Sequence, residues 1–150
     1  MPSAALLIAA SSHRGVTDRG SEILWLVRDL AALGWHSHYA EHPLLDTAAT
    51  ESELSHEELL TGLDRHIRHR LPHGRRRNAK VHTEPLAMVI DRLVSLTITR
   101  SVLAVAGDIG SESRELDIAL SDLALGYDQL VADLLAGRRR QPRFAISRAI

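Results

Sequence analysis

Glu84, Asp91 and Arg92 are ionisable residues inside a long and mostly apolar segment, 81–106. A charge among apolar side chains is costly unless it is paired or hydrogen-bonded, so these residues need a structural or a functional partner. Carboxylates can act as acid, base or ligand anchor, and a guanidinium can keep a carboxylate ionised or bind an anionic group. We therefore predict three catalytic residues, with Asp91 as the acid/base or substrate anchor, Arg92 beside it, and Glu84 orienting the ligand.

Three further residues are candidates for ligand binding. If the segment is helical, positions 84, 88, 91, 95 and 99 share one face, which places Met88 and Ser95 beside Asp91. His82 lies just before the helix start. Two interpretations of the group stay open at this point, a polar pocket in the core of a bundle or a buried ion pair that fixes the helix register.

Nine histidines raise the question of a metal site, and their spacing argues against one. Segment 38–42 has the H-x-x-E-H pattern of inverted zinc peptidases, but Pro43 disfavours a helical His42. Segment 53–56 is the one Glu-x-x-His motif, whereas a di-iron bundle needs two. A third set, which a proline interrupts, consists of His66, His69 and His73. We expect no metal and no cofactor, and a histidine-based metal-dependent enzyme is the weakest hypothesis.

Composition indicates one globular domain, residues 1–150, and excludes several classes of protein. The chain has no cysteine, which rules out disulfides, thiolate metal sites and cysteine nucleophiles. The net charge is −1, so no global field attracts nucleic acid or an anionic membrane. The apolar stretch 4–10 has no basic residue before it, and no run reaches the roughly 20 apolar residues of a membrane span. We expect a cytoplasmic protein without nucleic-acid or membrane partners.

Helical periodicity recurs four times, and strand signals are almost absent. The four apolar patterns lie in segments 23–33, 59–67, 81–106 and 116–134. We predict an all-α fold, namely an antiparallel four-helix bundle. The stretch 4–10 can add a short N-terminal helix. Segments 1–18 and 141–150 are expected to be loosely attached to the bundle. The third helix is apolar on most sides, which predicts a central position and a seam for a homodimer.

Start and stop signals delimit these helices. Gly34 is a predicted stop for the first helix, although residues 35–41 could prolong the turn, and Gly137 is the predicted stop for the fourth. The sequence from Ser55 to Glu58 matches a capping box, and Thr83 is the predicted N-cap of the third helix. We interpret the arginine triplets 75–77 and 138–140 as solvated helix ends and not as phosphate-binding sites. No basic face and no stacking aromatic residue accompanies them, as would be usual in a nucleic-acid-binding protein.

Segment 82–93, His-Thr-Glu-Pro-Leu-Ala-Met-Val-Ile-Asp-Arg-Leu, resembles the hallmark helix of the bacterial domain of unknown function 4254 family. In that family a Thr-Glu pair, a turn residue and an Ile-Asp-Arg-Leu core open a long helix. Segment 127–140 is similar to the family's short actinobacterial members, and the resemblance extends over residues 42–142. A single lysine among 18 Lys and Arg residues, typical of GC-rich genomes, also points to bacteria.

This resemblance implies an all-helical fold and no particular activity. It also implies that Glu84, Asp91 and Arg92 are key positions. Met88 and Val89 stand where larger members have a small Gly-Ser-like pair, so a pocket beside that turn would differ from theirs.

Three hypotheses about function follow. The leading one is a small helical-bundle protein that binds or transforms a small molecule in bacterial, specialised metabolism. The rival is a non-catalytic homodimeric scaffold or accessory subunit, in which the same charged residues fix the helix register. The third is the histidine-based metal-dependent enzyme. The substrate, the reaction type and the question of catalysis itself stay open at the level of sequence.

Overall fold

The computed structural model describes residues 1–12, 21–41, 54–72, 78–107 and 110–143. In these ranges the chain forms five helices and one short parallel pair of strands. They are α1 (Ala4–Ser11), α2 (Glu22–Glu41), α3 (His56–Arg70), β1 (Lys80–Val81), α4 (Leu86–Val105), α5 (Ser111–Leu135) and β2 (Arg139–Arg140). The predicted all-α class is confirmed, and α1 is the additional short N-terminal helix.

Helix α4 lies at the centre and contacts each of the other four helices. Its buried residues are Leu86, Ala87, Val89, Ile90, Leu93, Val94, Thr97 and Ile98. Within the described ranges α5 packs against α4 and α1, and against neither α2 nor α3. Most of the apolar surface of α4 is therefore covered by the chain's own helices, while Met88 and Val105 are exposed. The homodimer seam on this helix stays a prediction.

One face of the first twelve residues packs into the core, which differs from the loose segment 1–18 expected from the sequence. Residues 13–18 lie outside the described ranges. Leu7 of α1 is fully buried. The indole Nε1 of Trp35 donates a hydrogen bond to the carbonyl oxygen of Ser11 at 3.1 Å, and the hydroxyl of Tyr127 donates to the carbonyl oxygen of Pro2 at 3.1 Å. A short helix that is apolar on all sides has no periodic apolar stripe. The sequence pattern therefore could not predict which of its faces packs against the other helices.

Gly34 does not end α2, contrary to the prediction. Gly137, which ends α5, has the positive φ of a helix-terminating glycine, 70°, and Gly34 does not. Instead, a Cβ at position 34 would lie 2.6 Å from Cδ1 of Ile98, so the glycine allows α2 and α4 to approach closely. The helix runs on to Glu41 and carries His36 and His38 along the side of α4.

Helix α3 begins as the sequence predicts. The hydroxyl oxygen of Ser55 accepts a hydrogen bond from the backbone N–H of Glu58 at 3.3 Å, and the Glu58 carboxylate accepts from the backbone N–H of Ser55 at 2.8 Å. This reciprocal pair is the capping box, and it makes His56 the first residue of the helix.

Helix α4 begins differently from the prediction, because Thr83 is not its N-cap. Pro85 occupies that position, and the side-chain oxygen of Gln141 accepts from the backbone N–H of Leu86 at 2.9 Å. The carbonyl oxygen of Pro142 accepts from Nη1 of Arg68 at 3.0 Å. The start of the tail is thus held against α3 and α4, and residues 144–150 lie outside the described part of the chain.

Candidate functional site

A cavity of about 460 Å³ lies between α2, the start of α3 and α4. Its apolar side includes Leu30, Val94 and Ile98. On its polar side, Nε2 of His56 lies 2.9 Å from Oδ1 of Asp91, which is hydrogen-bonding distance. The structure therefore joins one of the predicted catalytic residues to a histidine 35 positions earlier in the chain.

The capping box positions this histidine. Because Ser55 and Glu58 set the first turn of α3, the backbone of His56 is held where its ring reaches α4. Hydrogen bonds from the backbone N–H and then the hydroxyl of Ser55 lower the pKa of Glu58 below its usual value. The carboxylate is consequently ionised at neutral pH, which suits the positive N-terminal end of a helix.

The pair is accessible to solvent, not buried as the sequence had indicated. The side chain of His56 is 58% exposed and that of Asp91 is 20% exposed. An ion pair at such exposure contributes only about 0–1 kcal/mol to stability. The docking of α3 instead rests on its buried apolar face, formed by Leu59, Leu60, Leu63 and Ile67. Asp91 is thus poorly placed to fix the helix register.

Glu84 and Arg92 line a second cavity, of about 320 Å³, on another side of α4. The guanidinium of Arg92 donates a hydrogen bond to Glu84. Asp91 and Arg92 diverge because consecutive helical residues point about 100° apart. Glu84 lies before the first residue of α4, so it does not continue the helix face of Asp91. The prediction of one pocket built from all three charged residues is wrong.

The predicted ligand-binding residues divide in the same way. Ser95 lines the first cavity with Asp91. His82 lines the second cavity, where its Nδ1 lies 2.7 Å from the carbonyl oxygen of Glu84. Met88 is exposed and lines neither of these two cavities.

Three histidines of the first cavity, His36, His38 and His56, are not among the predicted catalytic or ligand-binding residues. One signal was present for His56, because it lies inside the capping box, between Ser55 and Glu58, so its backbone conformation is set. His38 was considered only as part of the H-x-x-E-H pattern, and a helix stop at Gly34 would have placed both His38 and His36 outside the first helix.

The histidine motifs form no metal centre among the described residues. No group of three or more His, Asp or Glu side chains there is arranged to hold a metal ion. His42 and His73 lie outside the described ranges, and the side chain of Glu41 is not described either. Nδ1 of His66 lies 2.9 Å from a carboxylate oxygen of Glu22, so this histidine pairs with a carboxylate of α2.

The second arginine triplet lies at the end of α5. Nη2 of Arg138 lies 2.7 Å, and Nε of Arg139 3.2 Å, from the carboxylate of Asp133. Arg140 belongs to β2, where it pairs with Val81 of β1. The first triplet, 75–77, is outside the described ranges.

Comparison with known proteins returned no relatives. No family model, no curated protein sequence and no solved structure matches the chain. The resemblance of segment 82–93 to the domain of unknown function 4254 family accordingly stays a prediction. None of the helices in the described ranges is both long and apolar enough to cross a membrane.

Proposed function

We propose that the protein binds a small organic molecule in the cavity beside His56 and Asp91, and that this pair transfers a proton to or from it. The observation that carries the proposal is the 2.9 Å contact between the imidazole and the carboxylate at the edge of a cavity of about 460 Å³. A volume of this size is typical of small-molecule sites, which range from about 300 to 1,000 Å³.

The chemistry follows from the arrangement of the two groups. When Nε2 of a neutral His56 donates to Asp91, Nδ1 carries the lone pair and is the basic atom. The carboxylate orients the ring and stabilises the imidazolium that forms when Nδ1 accepts a proton. An imidazole ring can both accept a proton and return it, which suits His56 to general acid–base catalysis.

The lining of the cavity indicates the class of ligand. Among the described lining residues Asp91 is the only carboxylate, and there is no arginine or lysine to bind an anion. The hydroxyl of Thr99 donates to the carbonyl oxygen of Ser95 at 2.9 Å, so its lone pairs remain to accept a hydrogen bond from a ligand. A neutral or cationic molecule with an apolar body fits these groups.

We include in this proposal the setting expected from the sequence, specialised metabolism in the bacterial cytoplasm. Three of the four described hydroxyl groups that line the cavity already donate to nearby groups: those of Ser37 and Thr99 to carbonyl oxygens, and that of Ser55 to the Glu58 carboxylate. His56 activates none of these three as a nucleophile, so the proposed chemistry is proton transfer.

The test is native mass spectrometry of the purified protein before and after denaturation. The expected result is a non-covalent organic adduct that is lost on denaturation. His56→Ala and Asp91→Asn should lose the adduct, and Arg92→Ala, a neighbour that lines the other cavity, should keep it. If the protein carries no adduct, ligand-observed NMR with neutral and cationic fragments replaces this readout. The proposal fails if the adduct or the fragments bind equally to His56→Ala and the unmodified protein.

A homodimeric scaffold is the second candidate function, and one observation favours it. Ile118 and Leu125 are seven residues apart on α5, hence on one side of the helix, and are 57% and 73% exposed. A second copy packed on this side would cover both. Native mass spectrometry should then show a dimer that Ile118→Asp with Leu125→Asp converts to monomer. A monomer at all concentrations would end this candidate.

A further inference from the structure

The second cavity, formed where β1 and β2 meet α4 and α5, has its own charges and its own apolar wall. It is lined by His82, Glu84, Arg92, Asp133 and Arg139. Its wall includes Val89, Leu123 and Leu130. None of these residues lines the cavity of His56 and Asp91, so the two cavities are separate sites.

Positive charge is in excess around Asp133, on one side of this cavity. Arg92 pairs with Glu84. Arg138 neutralises Asp133, because its Nε and Nη2 lie 2.8 and 2.7 Å from the same carboxylate oxygen. Arg139 reaches the other oxygen of Asp133 only at 3.2 Å. Two guanidinium groups, those of Arg138 and Arg139, therefore share the single carboxylate of Asp133. Of these two, Arg139 lines the cavity, and its contact with Asp133 is the longer one.

Gly126 provides an independent observation. It lies inside α5 and lines the cavity, where a Cβ built on it would meet no atom within 4 Å. Packing therefore does not require a glycine there, although glycine weakens a helix relative to alanine. Its effect in the structure is to leave the space above this turn open.

From these observations we propose that the second cavity binds a small organic monoanion, a carboxylate with an apolar body. The carboxylate of the ligand binds Arg139, because the planar guanidinium of this residue can donate two parallel hydrogen bonds to it. The apolar body lies over Gly126 against Leu123 and Leu130. The side chain of Arg139 is 45% exposed, and Asp133 keeps its shorter contacts with Arg138, so a ligand can displace the longer Arg139–Asp133 contact at low cost.

The experiment uses 4-methylpentanoate as the probe, with its amide as the uncharged analogue of the same shape. Isothermal titration should show saturable binding of the acid and about tenfold weaker binding of the amide. Arg139→Gln should weaken binding of the acid by about tenfold or more. Arg114→Gln is the matched control, because Arg114 is an exposed arginine of α5 outside the cavity, and it should bind like the unmodified protein.

Gly126→Leu supplies a second variant that does not remove a charge. Its side chain should fill the open space and abolish binding while the thermal unfolding temperature is maintained. Equal binding of acid and amide, equal behaviour of Arg139→Gln and Arg114→Gln, or no saturable binding of the acid would overturn the proposal. Competition by inorganic phosphate as strong as that by the acid would assign the site to phosphate instead. His56→Ala should leave this binding unchanged, which separates it from the function proposed for the first cavity.

Discussion

Asp91 and Arg92 are consecutive residues of α4, yet their side chains line two different cavities. Asp91 contacts His56 on α3, whereas Arg92 pairs with Glu84, which precedes α4. The divergence follows from the helix itself, because neighbouring residues are rotated by about 100° around its axis. The two cavities can therefore be tested separately by substituting two adjacent residues.

Asp91→Asn should leave the protein folded and remove ligand binding from the first cavity. The pair with His56 is partly exposed, so we expect the free energy of unfolding to fall by no more than about 1 kcal/mol. Urea denaturation measures this change, and Arg92→Ala is the control. A loss of several kcal/mol would instead support the interpretation of Asp91 as a residue that fixes the helix register.

Ser55→Ala should destabilise α3 and disturb the position of His56. Loss of an N-cap hydroxyl typically costs about 1 kcal/mol. Because α3 begins at His56, ligand binding in the first cavity should weaken as well. Circular dichroism during urea denaturation gives the stability, and the adduct in native mass spectra gives the binding. Unchanged binding in this variant would mean that the capping box does not position the ring.

The capping box should also make stability depend on pH in the acid range. The pKa of Glu58 is lowered in the folded protein, so its contribution is complete above the unfolded value of 4.5 and is lost as pH falls through the folded pKa. Glu58→Gln should flatten the decrease in unfolding temperature between neutral and acid pH. Glu57→Gln, which removes a carboxylate from the same turn, should flatten it less. Equal behaviour of the two variants would contradict this assignment.

Tyr127 should make stability depend on pH in the alkaline range. Burial first, and then the charge of Asp128, raises the pKa of Tyr127. Its contribution is therefore complete below the pKa of an unfolded tyrosine, about 10, and is lost as pH rises above it. Tyr127→Phe should lose about 1 kcal/mol at neutral pH, with the hydrogen bond to Pro2, and should show a smaller alkaline decrease. Identical alkaline curves would refute this.

Gly34→Ala should destabilise the contact between α2 and α4. The new Cβ would lie 2.6 Å from Cδ1 of Ile98, and such overpacking costs about 1–3 kcal/mol, which exceeds the gain of about 1 kcal/mol in helix propensity. Ile98→Val removes that atom, so the double variant should be about 1 kcal/mol more stable than the sum of the single effects.

Gly62→Ala is the control for this double-mutant cycle. The nearest atom to its Cβ would be Cδ2 of Leu26, at 3.6 Å, which is ordinary contact. This variant should therefore keep the gain in helix propensity. Additive effects at Gly34 and Ile98 would show that the two helices do not meet closely.

The features that the sequence predicted correctly depend on residues a few positions apart. The capping box joins Ser55 to Glu58, and Gly137 ends α5 through its own backbone conformation. The periodic apolar stripes that indicated the helices likewise arise from side chains three and four residues apart. Such signals can be read from a short window, and they were sufficient for the all-α class.

Contacts between distant segments decided the rest. Gly34 lies inside α2, where its missing side chain lets Ile98 of α4 approach closely, and Gln141 caps α4 from the far end of the chain. Asp91 meets His56 because α3 packs beside α4 in one particular rotation. The rotation and spacing of packed helices depend on how all their side chains fit together, and a local pattern does not contain that information.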